Sequence, residues 1–392
     1  MKVDTTVNLD DLRKLAKRRL PKIIYDFIEG GADDEQGLHS NEGAFRRRRL
    51  LPRYLVDIHS RDQSTELFGW RYSSPFGIAP TGGIDNYRRG GDLMLAAAAR
   101  DANIPFIMSG TSTASMEDMA RIAPEHGWYQ LYVARDLGIS DDMVRRARDL
   151  ELPVLVITVD VPVGGNRERN RRNGFGRPLN LSLGAKLDAL RRPLWMKDYL
   201  RHGIANLPNW ERYVGKEKPD AETVAAFVAE QTRGRLTWKE VEHYRKLWPG
   251  KLVLKGVLRV DDALRAADNG VDGLILSNHG ARQLDRAAAP LDVLPAVNEA
   301  VGERMTLMLD SGVRRGADIV TAFCLGAKFV FLGRPTLYGA IAGGQAGAAR
   351  AVTLLSNEVD QVLGQIGAPT VTDLGPDFVQ QDLDQPGRNR TL

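Results

Sequence analysis

The segment Ser277-Asn278-His279-Gly280-Ala281-Arg282-Gln283-Leu284-Asp285 carries an imidazole and a guanidinium three residues apart, in a loop that Gly280 leaves free to take unusual dihedrals. A neutral histidine oriented by a carboxylate is the common general base near pH 7. An arginine presents a planar fork that grips a carboxylate through two parallel hydrogen bonds. Together they suit removal of a proton from a substrate that bears its own carboxylate. Taken out of any fold, the same pair reads equally well as a structural histidine and a solvated arginine. Two other segments favour anions: 310–316 (DSGVRRG) and Gly333-Arg334. Backbone N–H groups at glycines and at a helix N-terminus, with an arginine beside them, cradle phosphate. Lys255 reads either as a Schiff-base lysine or as a fixed cation beside a developing anion.

The elements that must position these residues recur along the chain. Eight short apolar runs stand at 76–79 (FGIA), 105–109 (PFIMS), 128–132 (WYQLY), 154–160 (VLVITVD), 252–255 (LVLK), 273–277 (GLILS), 305–310 (MTLMLD) and 328–332 (KFVFL). Near-continuous hydrophobicity is what strands covered on both faces require, so the runs predict a parallel sheet. Amphipathic stretches fill the gaps. Eight strand-plus-helix units in succession predict an α/β TIM (β/α)8 barrel; a doubly wound sheet would carry a glycine-rich dinucleotide motif after its first strand, and none is present. In such a barrel the active site lies at the C-terminal ends of the strands. Thr81, Ser109, Gln130, Tyr132, Thr158, Asp160, Lys255, Ser277, His279, Asp310, Arg314 and Arg334 all fall there. Each alone is as good a helix cap as a functional group; twelve converging on one rim are not.

One interval breaks the spacing, the 95 residues from Asp160 to Lys255. An excursion that long is an insertion, a lid or an added subdomain. The expected organisation is a single domain over 1–392: a helical N-terminal extension over 1–70, the barrel over 71–375 with an insertion at 170–240 after its fourth strand, and a tail at 376–392. The insertion mixes Arg177, Leu179, Leu181, Leu183, Lys186, Leu187, Leu190, Arg191, Arg192, Leu194, Trp195, Met196, Lys197, Tyr199 and Leu200. Leucine and aromatic residues beside Lys and Arg suit a segment lying on an anionic membrane surface. They suit equally a helix packed on the barrel or on another subunit.

Composition excludes several classes. The chain has 392 residues, 43% hydrophobic and 27% charged, as an ordinary folded protein does. One cysteine, Cys324, rules out a disulfide framework, and six scattered histidines give no metal-ligand spacing. The N-terminus lacks the apolar core of a signal peptide, and no apolar run approaches the length of a transmembrane helix, so folding in the cytoplasm is expected, with surface attachment left open. Lys and Arg exceed Asp and Glu only by 54 to 50, and the runs Arg46–Arg49, Arg145–Arg146 and Arg171–Arg172 are interleaved with acids, which argues against nucleic acid.

The SNHGARQLD segment, with LKGV before it and DSGVRRG and GRP after it, resembles the FMN-dependent 2-hydroxy-acid-oxidising family over about 9–374. The insertion's RRPLWMKDYLRHGIANLPNW, together with VDVPVGGNRERN and LGRPTLYGAIAGGQAG, is most similar to the membrane-associated, mandelate-oxidising branch of that family. The resemblance implies FMN as cofactor, oxidation of an (S)-2-hydroxy acid to the 2-keto acid, and electrons passed to a membrane quinone or another acceptor. It implies peripheral membrane contact through 177–210 on the inner face of the cell membrane, and a homotetramer. His279 would take the hydroxyl proton as hydride leaves Cα, or the α-proton in a carbanion route. Asp160 would stabilise the imidazolium. Arg282, Arg167 and Tyr25 would hold the substrate carboxylate, Tyr132 would hydrogen-bond at the hydroxyl-bearing carbon, and Lys255 would sit beside the flavin. Pro80, Thr81, Gly82, Ser109, Gln130, Thr158 and Ser277 would contact the ring and ribityl chain, with Asp310, Gly312, Arg314, Gly333 and Arg334 on ribityl and phosphate. No metal is implied. Thr111 and Gly164 replace a tryptophan and a leucine of the short-chain oxidases, which enlarges the substrate pocket and makes (S)-mandelate the lead substrate, with L-lactate or another aliphatic acid as the alternative. Gly82 in place of alanine favours a dehydrogenase over an oxidase. A reading from another enzyme class is an aldolase using Lys255 as a Schiff base.

Overall fold

The computed structural model describes residues 1–175, 182–232 and 236–380. It opens with α1 (Leu9–Arg19), α2 (Lys22–Glu29) and α3 (Gln36–Arg47). Asn8 caps α1 by accepting from the Asp11 N–H at 2.9 Å, and the acids of its first turn and bases of its last both suit the helix dipole. Past Arg47 the chain is not helical, unlike the expected extension over 1–70. It runs extended past Pro52 into a hairpin, β1 (Thr65–Leu67) and β2 (Trp70–Tyr72). The two turn residues, Phe68 (φ 57°) and Gly69 (φ 88°), are both left-handed, as a tight hairpin with matching twist requires.

All eight apolar runs form strands: β3 (Phe76–Ile78), β4 (Phe106–Met108), β5 (Gly127–Leu131), β6 (Val154–Thr158), β7 (Lys251–Val257), β8 (Gly273–Leu276), β9 (Thr306–Leu309) and β10 (Phe329–Leu332). They pair in parallel in sequence order, and β10 closes on β3. The TIM barrel is thus complete. Its outer wall is α4 (Gly91–Asp101), α5 (Met116–Ile122), α6 (Leu137–Asp149), then α7 (Glu168–Arg172) to α12 in the long interval, α13 (Val260–Asp268), α14 (Pro290–Val301), α15 (Gly316–Cys324) and α16 (Arg334–Ile366), the last broken at Gly344.

The barrel holds two separate cores. Leu155, Ile157, Leu252, Leu254, Leu274 and Leu276 face outward onto the helices. Ile107, Trp128, Val154, Val156, Val253, Ile275, Met308, Phe329 and Phe331 face inward and fill the barrel. Leu67, Phe68 and Tyr72 of the hairpin close that inner cluster, with Phe68 5.9 Å from the Trp128 ring. The hairpin is therefore the plug in the N-terminal end of the barrel.

Six helices stand in the long interval among the described residues: α7, α8 (Leu183–Leu190), α9 (Pro193–His202), α10 (Pro208–Glu211), α11 (Ala221–Gln231) and α12 (Trp238–Leu247). The α8–α9 pair docks by one face on the N-terminal helices and on the loop after β3. Arg19 pairs with Asp198 at 2.8 Å, Asp188 accepts from the Lys22 N–H at 2.6 Å, and Trp195 Nε1 donates to the Asn86 carbonyl at 2.8 Å. Its other face leaves Leu183 (73% exposed), Leu187, Leu190, Leu194 and Leu200 (76%) in solvent. Arg177, Leu179 and Leu181 of the mixed basic–apolar stretch lie outside the described residues, as does 381–392 of the tail. No described helix is long and apolar enough to cross a membrane.

Trp128 is the largest fully buried side chain of the inner cluster and stands 5.4 Å from Phe331. Replacing it by alanine opens a cavity that closed strands cannot collapse around. Trp128→Ala should destabilise the fold by about 3–5 kcal/mol, read from the shift of the denaturant midpoint; a shift under a third of that would mean that the inner cluster closes around the gap.

Candidate active site

The same every-second-residue alternation that fills the barrel continues past its core to the rim. After Trp128 comes Gln130 and then Tyr132; after Val156 come Thr158 and Asp160; after Val253, Lys255; after Ile275, Ser277 and His279; after Met308, Asp310. The inward face turns from apolar to polar at one level, where the strands end. Above this level lies a cavity of about 1040 Å³, roofed by α2 and by α8, α9 and α11 of the insertion.

His279 sits at φ 59°, followed by Gly280 (63°) and Ala281 (58°), a left-handed run that turns the imidazole back over the barrel. Its Nδ1 lies 2.8 Å from Asp160 Oδ1. An ionised carboxylate only accepts, so Nδ1 carries the proton and the free Nε2 is left as the basic nitrogen. Burial works against the Asp160 charge, but the charge and hydrogen bond of His279, and then Lys255, outweigh it and hold this carboxyl below the usual aspartate range. The pair thus contributes stability at neutral pH that is lost only as pH falls through that depressed value.

Lys255 is buried and donates to Ser277 Oγ at 2.8 Å and to Asp310 Oδ2 at 2.8 Å. Burial opposes its charge, yet Asp310 and then Asp160 raise it above the ordinary lysine range. A Schiff-base lysine must be neutral to attack; this one is fixed as a cation, and the aldolase reading loses its nucleophile. Tyr132 lines the cavity, and burial followed by the Asp160 charge pushes its phenol up to about 12, so it remains a donor.

Of the arginines that line the cavity, Arg167, Arg282 and Arg334 donate to oxygens of neutral groups. Arg282 Nη1 donates to the carbonyls of Phe27 (2.8 Å), Ile28 (3.1 Å) and Gly30 (3.0 Å). Arg334 donates to those of Ile28, Gly280 and Gly30. Arg167 donates to the Arg282 carbonyl and to Gln283 Oε1, both at 3.2 Å. Burial, then Arg167 and Arg334, push Arg282 well below the usual guanidinium range. Buried cations backed only by carbonyls are an anion site waiting for charge.

The groups present fit FMN. Thr81 Oγ1, Gln130 Nε2 and Thr158 Oγ1 are buried without a hydrogen-bond partner, a row of unmet donors and acceptors at the rim. At the phosphate end, the N–H groups of Arg314 and Arg315, just before α15, are already taken by Asp318, whereas α16 follows Gly333 with no side-chain cap, beside Arg314 and Arg334. Ser311 (φ 74°) and Gly312 (φ 88°) bend the chain under it. Pro80, Gly82, Ser109 and Asp310 line the same cavity; Gln130 and Ser277 lie one layer below, bonded to Ser109 and Lys255. Among the described residues no cluster of His, Cys, Asp or Glu could hold a metal.

Two expected substrate residues do not reach the cavity. Tyr25 points away, its hydroxyl buried without a partner and its ring under Lys17. The apolar stripe of α2 that faces inward is Ile24, Phe27 and Ile28, one residue being about 100° from the next around a helix. Phe27 stands 5.0 Å from the Arg282 guanidinium and 5.8 Å from that of Arg167, in the place given to Tyr25. Gly164 is exposed and has open space around it; its neighbour Gly165 is the constrained one, since a Cβ there would lie 2.3 Å from the Arg282 carbonyl. Thr111 does line the cavity. Sequence reasoning also passed over Gly256, whose φ of 112° and close approach to Asp160 were signalled only by the glycine following Lys255.

Residues 16–381 match the FMN-dependent dehydrogenase family. (S)-Mandelate dehydrogenase of Pseudomonas putida is 43% identical over 375 residues, 96% of this chain and 94% of that protein. A putative L-lactate dehydrogenase of Mycobacterium tuberculosis is 37% identical, covering 97% and 90%. The crystal structure of the monotopic membrane protein (S)-mandelate dehydrogenase superposes with a TM-score of 0.92 at 42% identity, covering 96% of this chain and all of that one.

A Cβ on Gly256 would stand 2.5 Å from Asp160 Cβ. Gly256→Ala should therefore push Asp160 off His279 and lower kcat by about 100-fold with the protein still folded. An unchanged kcat in the folded variant would show that the His279–Asp160 geometry does not depend on this contact.

Proposed function

The chain belongs to the FMN-dependent dehydrogenase family, with FMN as its cofactor and 2-hydroxy acids as its substrate class; from that premise we propose that it oxidises (S)-mandelate to the 2-keto acid and passes the electrons to a membrane quinone. The observation that carries the aromatic substrate is a cluster of rings beside the carboxylate clamp. Phe27 lies 4.7 Å from Phe175 and 6.2 Å from Tyr87, all three line the cavity, and Phe27 touches both arginines. A carboxylate held by Arg167 and Arg282 puts the adjoining carbon's substituent among these rings, where a phenyl group buries well.

Bound FMN supplies a two-electron acceptor for the hydride that leaves the substrate Cα. The chain's own residues do the rest. His279 Nε2 takes the hydroxyl proton, and Asp160 holds the resulting imidazolium by charge and hydrogen bond. Tyr132 donates toward the substrate oxygen, Arg167 and Arg282 fix its carboxylate, and Lys255 offers a fixed positive charge at the floor. Thr81, Gly82, Ser109, Gln130 and Thr158 would hold the ring, and Gly312, Arg314, Gly333 and Arg334 the phosphate.

The exposed leucines of α8–α9, flanked by Lys186, Arg191, Lys197 and Arg201, support peripheral attachment to an anionic membrane at the cytoplasmic face. A protein joined to a membrane in this way meets a lipid-soluble quinone without leaving the surface.

Under anaerobic conditions, (S)-mandelate should bleach the flavin band and a short-chain quinone should restore it. His279→Ala should stay yellow and lose bleaching by at least 1000-fold in rate, about what removal of a general base costs. A band that lactate bleaches and mandelate leaves unchanged would overturn the aromatic substrate, and full-rate bleaching in His279→Ala the base assignment. The wild-type protein should sediment with phosphatidylglycerol vesicles, and a Leu183→Ser, Leu187→Ser, Leu194→Ser variant should remain in the supernatant; sedimentation of both alike would refute attachment by this face.

A further inference from the structure

Asp92, on the first turn of α4, is buried to 1% exposure. Its carboxylate makes no hydrogen bond to its own helix. Every hydrogen bond it accepts comes from the loop after β4: Ser112 Oγ at 2.7 Å, the Thr113 N–H at 3.2 Å, and Thr113 Oγ1. Among the described residues no Lys, Arg or His pairs with it. Burial, only partly offset by those hydrogen bonds, pushes the carboxyl up to about 6, and Asp85 adds to the rise. A buried carboxylate without a cation is a net cost to stability, so a neutral or apolar residue would serve the helix better.

What the carboxylate secures is the loop that carries Thr111. The Thr111 carbonyl accepts from the Gly83 N–H at 3.0 Å, and Thr113 Oγ1 accepts from the Asp85 N–H at 3.1 Å, so the loops after β3 and β4 are stitched together across Asp92. Within that stitching Thr111 Oγ1 stands 2.1 Å from where a Cβ on Gly82 would be, and Ser109 Oγ is 3.2 Å from it. Gly82 and Thr111 both face the cavity.

We propose that Asp92 is a positioning residue, which holds Thr111 against the Gly82 backbone and so sets the depth of the pocket for the substrate side chain. The proposal rests on the reading of this cavity as a 2-hydroxy-acid site. Asp92 touches no reacting atom; it acts through the loop.

Asp92→Asn keeps the shape and one acceptor oxygen but turns a second donor toward the Thr113 donors. It should lower kcat/KM for (S)-mandelate about tenfold, chiefly through KM, while flavin content stays that of the wild type. In a Thr111→Ala background the same substitution should cost less than about twofold, because the side chain it positions is gone; such non-additivity is what coupling through one contact produces. Thr113→Val leaves the carboxylate in place but removes one donor to it together with the acceptor of the Asp85 N–H, and should repeat the pattern if Asp92→Asn does not fold. Amide exchange over 109–116 should quicken in Asp92→Asn whatever the substrate. Equal losses in both backgrounds, no loss in the folded single variant, or unchanged exchange would each overturn the proposal. If no 2-hydroxy acid bleaches even the wild-type flavin, the substrate reading falls alone, and exchange still decides whether Asp92 holds the loop.

Discussion

A strand turns every second side chain to the same side, and closing eight parallel strands into a ring gives one of those sides nowhere to go but inward. The protein uses that single constraint twice on each strand. Lower down, the inward positions are Trp128, Val156, Val253, Ile275 and Met308, which fill the barrel and fix its shape. One or two steps further along they are Gln130, Thr158, Lys255, Ser277 and Asp310. The packed layer is thus the rigid floor on which the polar layer stands, its side chains carried on the strands or one residue past their ends. The groups that approach a ligand from above come from outside the strands, His279, Arg167 and Arg282 from loops and Arg334 from the start of α16.

Charge is arranged in two different ways over that floor. Lys255 with Asp310 and His279 with Asp160 are closed pairs at 2.8 Å, in which Asp310 helps to hold Lys255 charged and His279 helps to hold Asp160 ionised. Arg167, Arg282 and Arg334 are open cations, satisfied by carbonyls at the end of α2 and in the loops. Closed pairs keep their state when a ligand comes and goes. Open ones gain most when an anion arrives. The division separates the groups that would handle protons from those that would only hold.

Much of this was legible in the sequence because it lies on strands. A buried parallel strand declares itself as an apolar run, and its last polar residue is then a rim residue by counting. That is how Thr158, Lys255, Ser277 and Asp310 were found. Rotation about a helix axis and the path of a loop are set by packing, which no local run of residues encodes. On α2 the family resemblance points to Tyr25, although Ile24, Phe27 and Ile28 form the i, i+3, i+4 stripe that faces the cavity. The resemblance likewise points to Gly164, whereas the glycine that meets the Arg282 carbonyl is Gly165, a contact that depends on two loops at once. The hairpin at 65–72 escaped because its strands are three residues long and bury little besides Leu67, Phe68 and Tyr72.

The roof of the cavity comes from residues near 27, while the guanidiniums that fasten it come from 282 and 334, and the ring itself is shut by pairing β10 with β3. On the ribosome these partners emerge hundreds of residues apart. A nascent chain that has released its first helices, its plug and six of its barrel strands still has neither a closed ring nor Arg282 and Arg334 to latch α2. The binding chamber is therefore among the last things the polypeptide acquires, and an incomplete chain has no half-made site in which to sequester a flavin.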